Sequence, residues 1–102
     1  MPKVSSFKPR YPVAVHPGKV LQEVLDGNNI TQLQLARHLK MPQSKINEIC
    51  RGKRGISVEM AYKLARALGS TPEFWMNLQQ NWAMKQDDQD SFDQIEPIKL
   101  RA

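Results

Sequence analysis

Residues 30–55 constrain the fold of this 102-residue chain more than any other stretch. They contain two short helical patterns with the turn Lys40-Met41-Pro42 between them. The first is capped by Thr31 and runs to about Leu39, and the second runs from about Gln43 to Arg51. The apolar stripe of the first helix is Leu35, Ala36 and Leu39, and that of the second is Ile46, Ile49 and Cys50. Because Ala36 is small, a second helix can cross the first closely. We therefore expect two packed helices, the second of which keeps a polar face outward.

That polar face has the composition of a DNA-reading helix. It consists of Ser44, Asn47, Glu48 and Arg51, with Gln43 and Lys45 beside it and the basic loop 52–55 after it. The major groove of B-DNA admits one α-helix, whose first turn reaches the base edges. Gln43 and Ser44 lie in that turn and Asn47 one turn later, so these three are the candidate base-reading residues. The alternative is an ordinary solvated helix face.

Other side chains near this helix suit the DNA backbone. The candidate phosphate-binding cations are Lys45, Arg51, Lys53 and Arg54. Such contacts position a protein on DNA without reading its sequence. Gln32, at the start of the preceding helix, is expected to donate to phosphate together with that helix's N-terminal amides. Glu48 would accept from a cytosine amine or repel phosphate.

The rest of the chain predicts three further helices and no strand. One follows His16-Pro17-Gly18 and ends near Gly27, a second is capped by Ser57, and a third starts at Thr71-Pro72. We expect an all-α, five-helix bundle over residues 17–84. Residues 1–16 form a flexible basic arm that either touches DNA or is simply solvated. Residues 85–102 form an acidic tail that either aids dimerisation or is disordered.

Charge and composition restrict the remaining function classes. Residues 1–86 carry a net charge of +8 and residues 87–102 one of −3, so the body of the molecule attracts polyanions. The single Cys50 excludes an internal disulfide and fits a reducing compartment. Neither a signal peptide nor a membrane-length apolar run is present, which predicts a cytoplasmic protein without membrane contact. His16 and His38 have no evident partners, so we expect no metal, no cofactor and no enzyme activity.

Several sequence signatures resemble one family of regulators. They are HPGKVLQEVL, ITQLQLARHL, KINEICRGKRGIS, MAYKLARALGSTPEFW and MNLQQNW, which together span His16 to Gln79 and a little beyond. These signatures are similar to those of the HigA antitoxins, within the Xre/Cro-type helix-turn-helix proteins. The resemblance implies that the five-helix bundle is a lambda-repressor-like DNA-binding domain. The resemblance implies base reading by Gln43, Ser44 and Asn47, and phosphate contacts near Gln32, Lys45, Lys53 and Arg54. One departure is Lys40-Met41-Pro42, where the family has Gly, an apolar residue and a hydroxyl N-cap before Pro, so the first residue of the second helix is uncertain.

The resemblance also implies partners. HigA-type antitoxins bind a palindromic operator as dimers, repress their own promoter and neutralise a RelE-like ribonuclease, the HigB-type toxin. The alternative is a stand-alone Xre-type regulator without a toxin. For a homodimer, the candidate interface is the apolar face of the last helix around Trp75, Leu78 and Trp82, together with the tail. Alternatively, both tryptophans complete the monomer core.

Overall fold

The computed structural model describes residues 15–86 and 92–100. Within them the chain forms five α-helices and no strand, namely α1 (Pro17–Gly27), α2 (Gln32–Leu39), α3 (Gln43–Cys50), α4 (Val58–Leu68) and α5 (Pro72–Gln86). The predicted all-α, five-helix class is thus confirmed. None of these helices is long and apolar enough to cross a membrane. The basic arm lies outside the described residues except for Val15 and His16, and the domain boundaries remain predictions.

The helix starts follow local hydrogen-bonding chemistry. Thr31 Oγ1 accepts from the Gln34 amide at 3.0 Å, while Gln34 Oε1 accepts from the Thr31 amide at 2.7 Å. This reciprocal pair satisfies two of the amides that a helix N-terminus leaves without partners. Ser57 and Thr71 cap α4 and α5, each accepting from the backbone three residues later. The three caps predicted from the sequence are therefore present.

One apolar core lies between the helices. Its most deeply buried large side chains are Leu21, Leu25, Ile46, Ile49, Leu64 and Trp75. The predicted inward direction of Ile46 and Ile49 is confirmed, since both are almost fully buried. Cys50 is half-buried against the same core. Burial, with a smaller contribution from Asp26, raises the pKa of its thiol to about 11, so Cys50 stays protonated and unreactive at neutral pH.

The two tryptophans of α5 belong largely to the monomer. Trp75 is 1% exposed, and its Nε1 donates to Ser70 Oγ at 2.8 Å. Trp82 is half-buried and meets the His16 ring edge-to-face, with the ring centroids 4.7 Å apart. Trp75 is thus unavailable to a partner subunit. The outer apolar side chains at this end of the chain are Met84 on α5 and Phe92, Ile95, Ile98 and Leu100 in the tail.

A glycine allows α1 to approach α3 closely. A Cβ at Gly18 would overlap the backbone carbonyl of Ile49, which belongs to the last turn of α3. Backbone atoms cannot yield as the end of a flexible side chain can, so this contact requires glycine. The position of α3 on the molecule therefore depends on the first turn of α1.

His16 holds the same junction together. Its Nδ1 accepts from the Gly18 amide at 2.9 Å and so caps α1, which confirms the structural role expected for this residue. Its Nε2 is buried without a hydrogen-bond partner in the described part of the chain. Burial lowers the pKa of the imidazole, because the charged form is poorly solvated there.

The turn between α2 and α3 contains a strained residue. Lys40 ends α2 with φ 56° and ψ 49°, in the left-handed region, at the position where the resembled family has glycine. The Met41 amide then donates to the Ala36 carbonyl at 2.9 Å, which closes the turn. For a residue with a Cβ, this conformation costs about 1–2 kcal/mol.

Replacing Lys40 by glycine should stabilise the protein. We expect Lys40→Gly to raise the free energy of unfolding by about 1 kcal/mol, since relief of strain exceeds the added entropy of the unfolded chain. Lys63→Gly, inside α4, is the matched control and should lower that free energy by about 1 kcal/mol. Urea unfolding measures both. Equal destabilisation by the two changes would contradict the assigned conformation of Lys40.

Stability should fall on acidification because of His16. Since the folded-state pKa lies below the unfolded one, the contribution is complete above about pH 6.5 and is lost as the pH falls toward the folded-state pKa. His16→Asn keeps a capping oxygen but does not titrate, so its unfolding free energy should change less between pH 7.5 and 5.5 than that of the native protein. His38→Asn, which removes the exposed histidine on α2, is the matched control. An unchanged pH dependence in His16→Asn would refute the assignment.

Candidate nucleic-acid interface

The first turn of α3 presents three exposed polar side chains. Gln43, Ser44 and Lys45 are all exposed, and α3 begins at Gln43. Pro42 occupies the N-cap position in an extended conformation and makes no side-chain bond, so the structure resolves the uncertainty about where α3 starts. The predicted helix end at Arg51 is one residue too long, because Arg51 is the C-cap. This exposed turn has the shape and chemistry that a major groove admits.

Asn47 is less outward than the sequence pattern suggests. It is half-buried, and its Nδ2 donates to Gln32 Oε1 at 3.1 Å. Gln32 Nε2 in turn donates to Gln22 Oε1 of α1 at 2.7 Å. Gln32, expected only to meet phosphate, therefore also bridges α1 and α3. One of its amide hydrogens remains for an outside acceptor.

Glu48 organises the basic loop that follows α3. Its carbonyl accepts from the amides of Lys53 and Arg54, at 2.9 and 3.3 Å. Its carboxylate lies 3.5 Å from Arg54 Nη2. This pair is partly exposed and so contributes little to stability. Glu48 thus accepts from the protein's own loop, whereas the sequence suggested a cytosine amine or repulsion of phosphate.

The far end of the loop is anchored by α5. Gln79 Oε1 accepts from the Ile56 amide at 2.7 Å, and Ile56 itself is buried. A Cβ at Gly55 would approach the Gln79 amide to within 2.8 Å, so a larger residue there would displace this anchor. Sequence reasoning missed Gln79, since nothing local distinguishes it from the other glutamines of α5. The loop that carries Lys53 and Arg54 is consequently held at both ends.

The predicted phosphate-binding cations lie at both ends of α3, with Lys45 in its first turn and the other three after its last residue. Lys45, Arg51, Lys53 and Arg54 are all exposed. Of the four, only Arg54 has an ion-pair partner within residues 15–86 and 92–100. Three cations are thus available to an external anion. The structure brings Gln32 and Asn47 into direct contact, and it gives Gln43 and Ser44 no side-chain partner in the described part of the chain.

No group of three or more His, Cys, Asp or Glu side chains within the described ranges has the spacing of a metal site. His38 is exposed on α2, whereas the partly buried His16 caps α1. The first turn of α3 and the loop after the helix together present exposed amide, hydroxyl and cationic donors, which suit binding to an anionic partner.

Comparison with known proteins identifies relatives of this arrangement. A family model described as helix-turn-helix, HTH_3, matches residues 21–75. Virulence-associated protein A′ of Dichelobacter nodosus is 38% identical over 81 residues, which cover 78% of this chain and 70% of that protein. An HTH-type transcriptional regulator of Escherichia coli K12, YddM, is 37% identical over 68 residues, covering 67% of this chain and 72% of the relative.

A solved structure is similar over nearly the whole described chain. It contains the Pseudomonas aeruginosa antitoxin HigA with the higBA promoter, at a TM-score of 0.76 and 35% identity. The match covers 84% of this chain and 99% of that one. This chain thus shares its fold with an antitoxin that was solved together with promoter DNA.

Proposed function

This chain belongs to the helix-turn-helix family HTH_3, in the Xre-type group that includes the HigA antitoxins, and we propose that it is the antitoxin of a toxin–antitoxin module. In this proposal it binds a palindromic operator as a homodimer, represses its own promoter and neutralises a RelE-like ribonuclease of the HigB type. It acts in the cytoplasm, where its DNA lies. The observation that carries the proposal is the exposed first turn of α3, together with exposed cations in that turn and after the helix. Three of these cations have no ion-pair partner among the described residues.

The exposure and chemistry of these side chains indicate which of them contact bases and which contact phosphates. Gln43 can pair bidentately with adenine, and Ser44 can meet several bases. Both side chains are exposed and free to turn toward a groove. Lys45, Arg51 and Lys53 neutralise phosphates on either side, and Arg54 does so after its exposed pair with Glu48 opens. Gln32 supplies a further donor to phosphate from α2.

Dimerisation follows from the size of the reading surface. α3 has only eight residues, and its exposed first turn covers few base pairs. Two such helices, held about 34 Å apart, read a palindrome with the specificity that a repressor needs. Because Trp75 is buried, we place the dimer interface on the exposed Met84 and the apolar residues of the tail. A monomeric mass in solution together with a half-site footprint would refute the dimer.

The second candidate is a regulator without a toxin. It is favoured by the similarity to the E. coli K12 protein YddM, whose name describes a transcriptional regulator. The two candidates share the DNA interface and differ only in whether a toxin partner exists. A test of toxin neutralisation therefore separates them, while a test of DNA binding examines what they share.

Two substitutions should separate affinity from specificity on DNA. Lys53→Ala should weaken binding to every duplex and reduce the slope of log affinity against log salt by about one, because one phosphate contact is lost. Gln43→Ala should relax the preference at one or two base pairs and cost roughly 1–3 kcal/mol on the operator alone. Fluorescence anisotropy over a salt series measures both, with Lys85→Ala as a lysine control at the end of α5. Uniform weakening by Gln43→Ala would contradict the base-reading assignment.

Toxin neutralisation should be visible in a direct assay. We expect the chain, co-expressed with the product of its neighbouring gene, to restore growth and to suppress that product's ribonuclease activity in a purified mixture. Lys53→Ala should neutralise as well as the native chain, since the DNA interface is not required. If the neighbouring product is a ribonuclease and the native chain neither binds nor inhibits it, the antitoxin proposal is wrong and the stand-alone regulator stands.

A further inference from the structure

Four polar side chains form a hydrogen-bonded relay across three helices. Asn47 Nδ2 donates to Gln32 Oε1 at 3.1 Å, and Gln32 Nε2 donates to Gln22 Oε1 at 2.7 Å. Gln22 Nε2 then donates to Asp26 Oδ1 at 2.8 Å, one turn along α1. We name these residues the amide relay: Asp26, Gln22, Gln32 and Asn47. The relay connects an exposed carboxylate on α1 to a side chain on the proposed DNA-reading helix.

Asp26 determines the direction of every bond in the relay. An ionised carboxylate only accepts hydrogen bonds, whereas each amide has a donor end and an acceptor end. The donor end of Gln22 must therefore face Asp26, which turns its acceptor end to Gln32. The same reasoning turns the donor end of Gln32 to Gln22 and its acceptor end to Asn47. The Asn47 amide must then use its nitrogen inside the protein.

The consequence lies at the outer end of the relay. Within residues 15–86 and 92–100, Asn47 Oδ1 accepts no hydrogen bond. We propose that Asp26, acting through the relay, makes Asn47 a hydrogen-bond acceptor toward DNA and so selects a base with an amino group. The amino groups of adenine N6 and cytosine N4 are the donors that bases present in the major groove. This inference rests on the proposed DNA-reading role of α3.

The location of Asp26 supports a role other than stability. It lies in the last turn of α1, where the helix macrodipole disfavours a negative charge. The Asp26 side chain is exposed and forms no ion pair with another described residue. A lysine at this position would suit the helix better. The negative charge is thus unfavourable at this end of α1, and the hydrogen bond from Gln22 is the contact that gives the carboxylate its place in the relay.

A charge reversal gives the sharpest test. Asp26→Lys replaces a group that only accepts with one that only donates, so the relay reverses and Asn47 offers its amide nitrogen outward. The base pair concerned is identified first, as the one whose preference disappears in Asn47→Ala. Binding-site selection is then compared for the native chain, Asp26→Lys and Asp93→Lys, which makes the same charge change in the exposed tail. Thermal unfolding of each variant accompanies the selection.

At that base pair the native chain should prefer adenine or cytosine on one strand by about tenfold over guanine or thymine. Asp26→Lys should reverse the preference toward guanine or thymine with no loss of thermal stability, while Asp93→Lys keeps the native preference. If Asp26→Lys retains the native preference, or if Asn47→Ala identifies no base pair, the relay has only a structural role and the inference is wrong. If the native chain selects no sequence at all, the proposed function itself fails.

Discussion

The contact between the first turn of α1 and the last turn of α3 underlies the rest of the structure. Gly18 lies so close to the Ile49 carbonyl that no side chain fits between them. His16 caps α1 at this point and packs against Trp82, so α5 is joined to the same junction. Since the inner face of α3 is buried through Ile46 and Ile49, the helix has one orientation on the molecule. A DNA-reading helix must be held rigidly in one position, because its contacts with base edges tolerate little displacement.

Polar contacts then refine what the apolar core positions. Glu48 and Gln79 fasten the two ends of the basic loop, so Lys53 is presented from a constrained backbone. Gln32 links α2 to both neighbouring helices. The side chains in the exposed first turn of α3 have no hydrogen-bond or ion-pair partner among the described residues, so they can meet a ligand. The molecule thus combines a rigid frame of packed helices with a small exposed surface whose side chains can adapt to a ligand. This combination is consistent with a DNA-binding helix-turn-helix family.

Local chemistry explains which features were predictable from the sequence. The caps at Thr31, Ser57 and Thr71 and the periodic apolar stripes depend on residues three or four apart, and the structure contains all of them. The contacts of Gln32 and Gln79 join residues 10 to 23 positions apart, so they depend on how helices cross and not on local pattern. The spacing of four residues between Gln22 and Asp26 is a weak sequence indication of the hydrogen bond between them. The strain at Lys40 could be suspected only because the resembled family has glycine there.

The central claim is that α3 enters a major groove, and a footprint on the DNA upstream of the gene tests it most directly. Hydroxyl-radical cleavage combined with guanine N7 methylation protection reports the backbone contacts and the groove occupied. The account predicts two protected major-groove segments about 34 Å apart on one face of the duplex, related by a palindrome. Protection confined to the minor groove, or cleavage unchanged at concentrations that saturate the duplex, would contradict it.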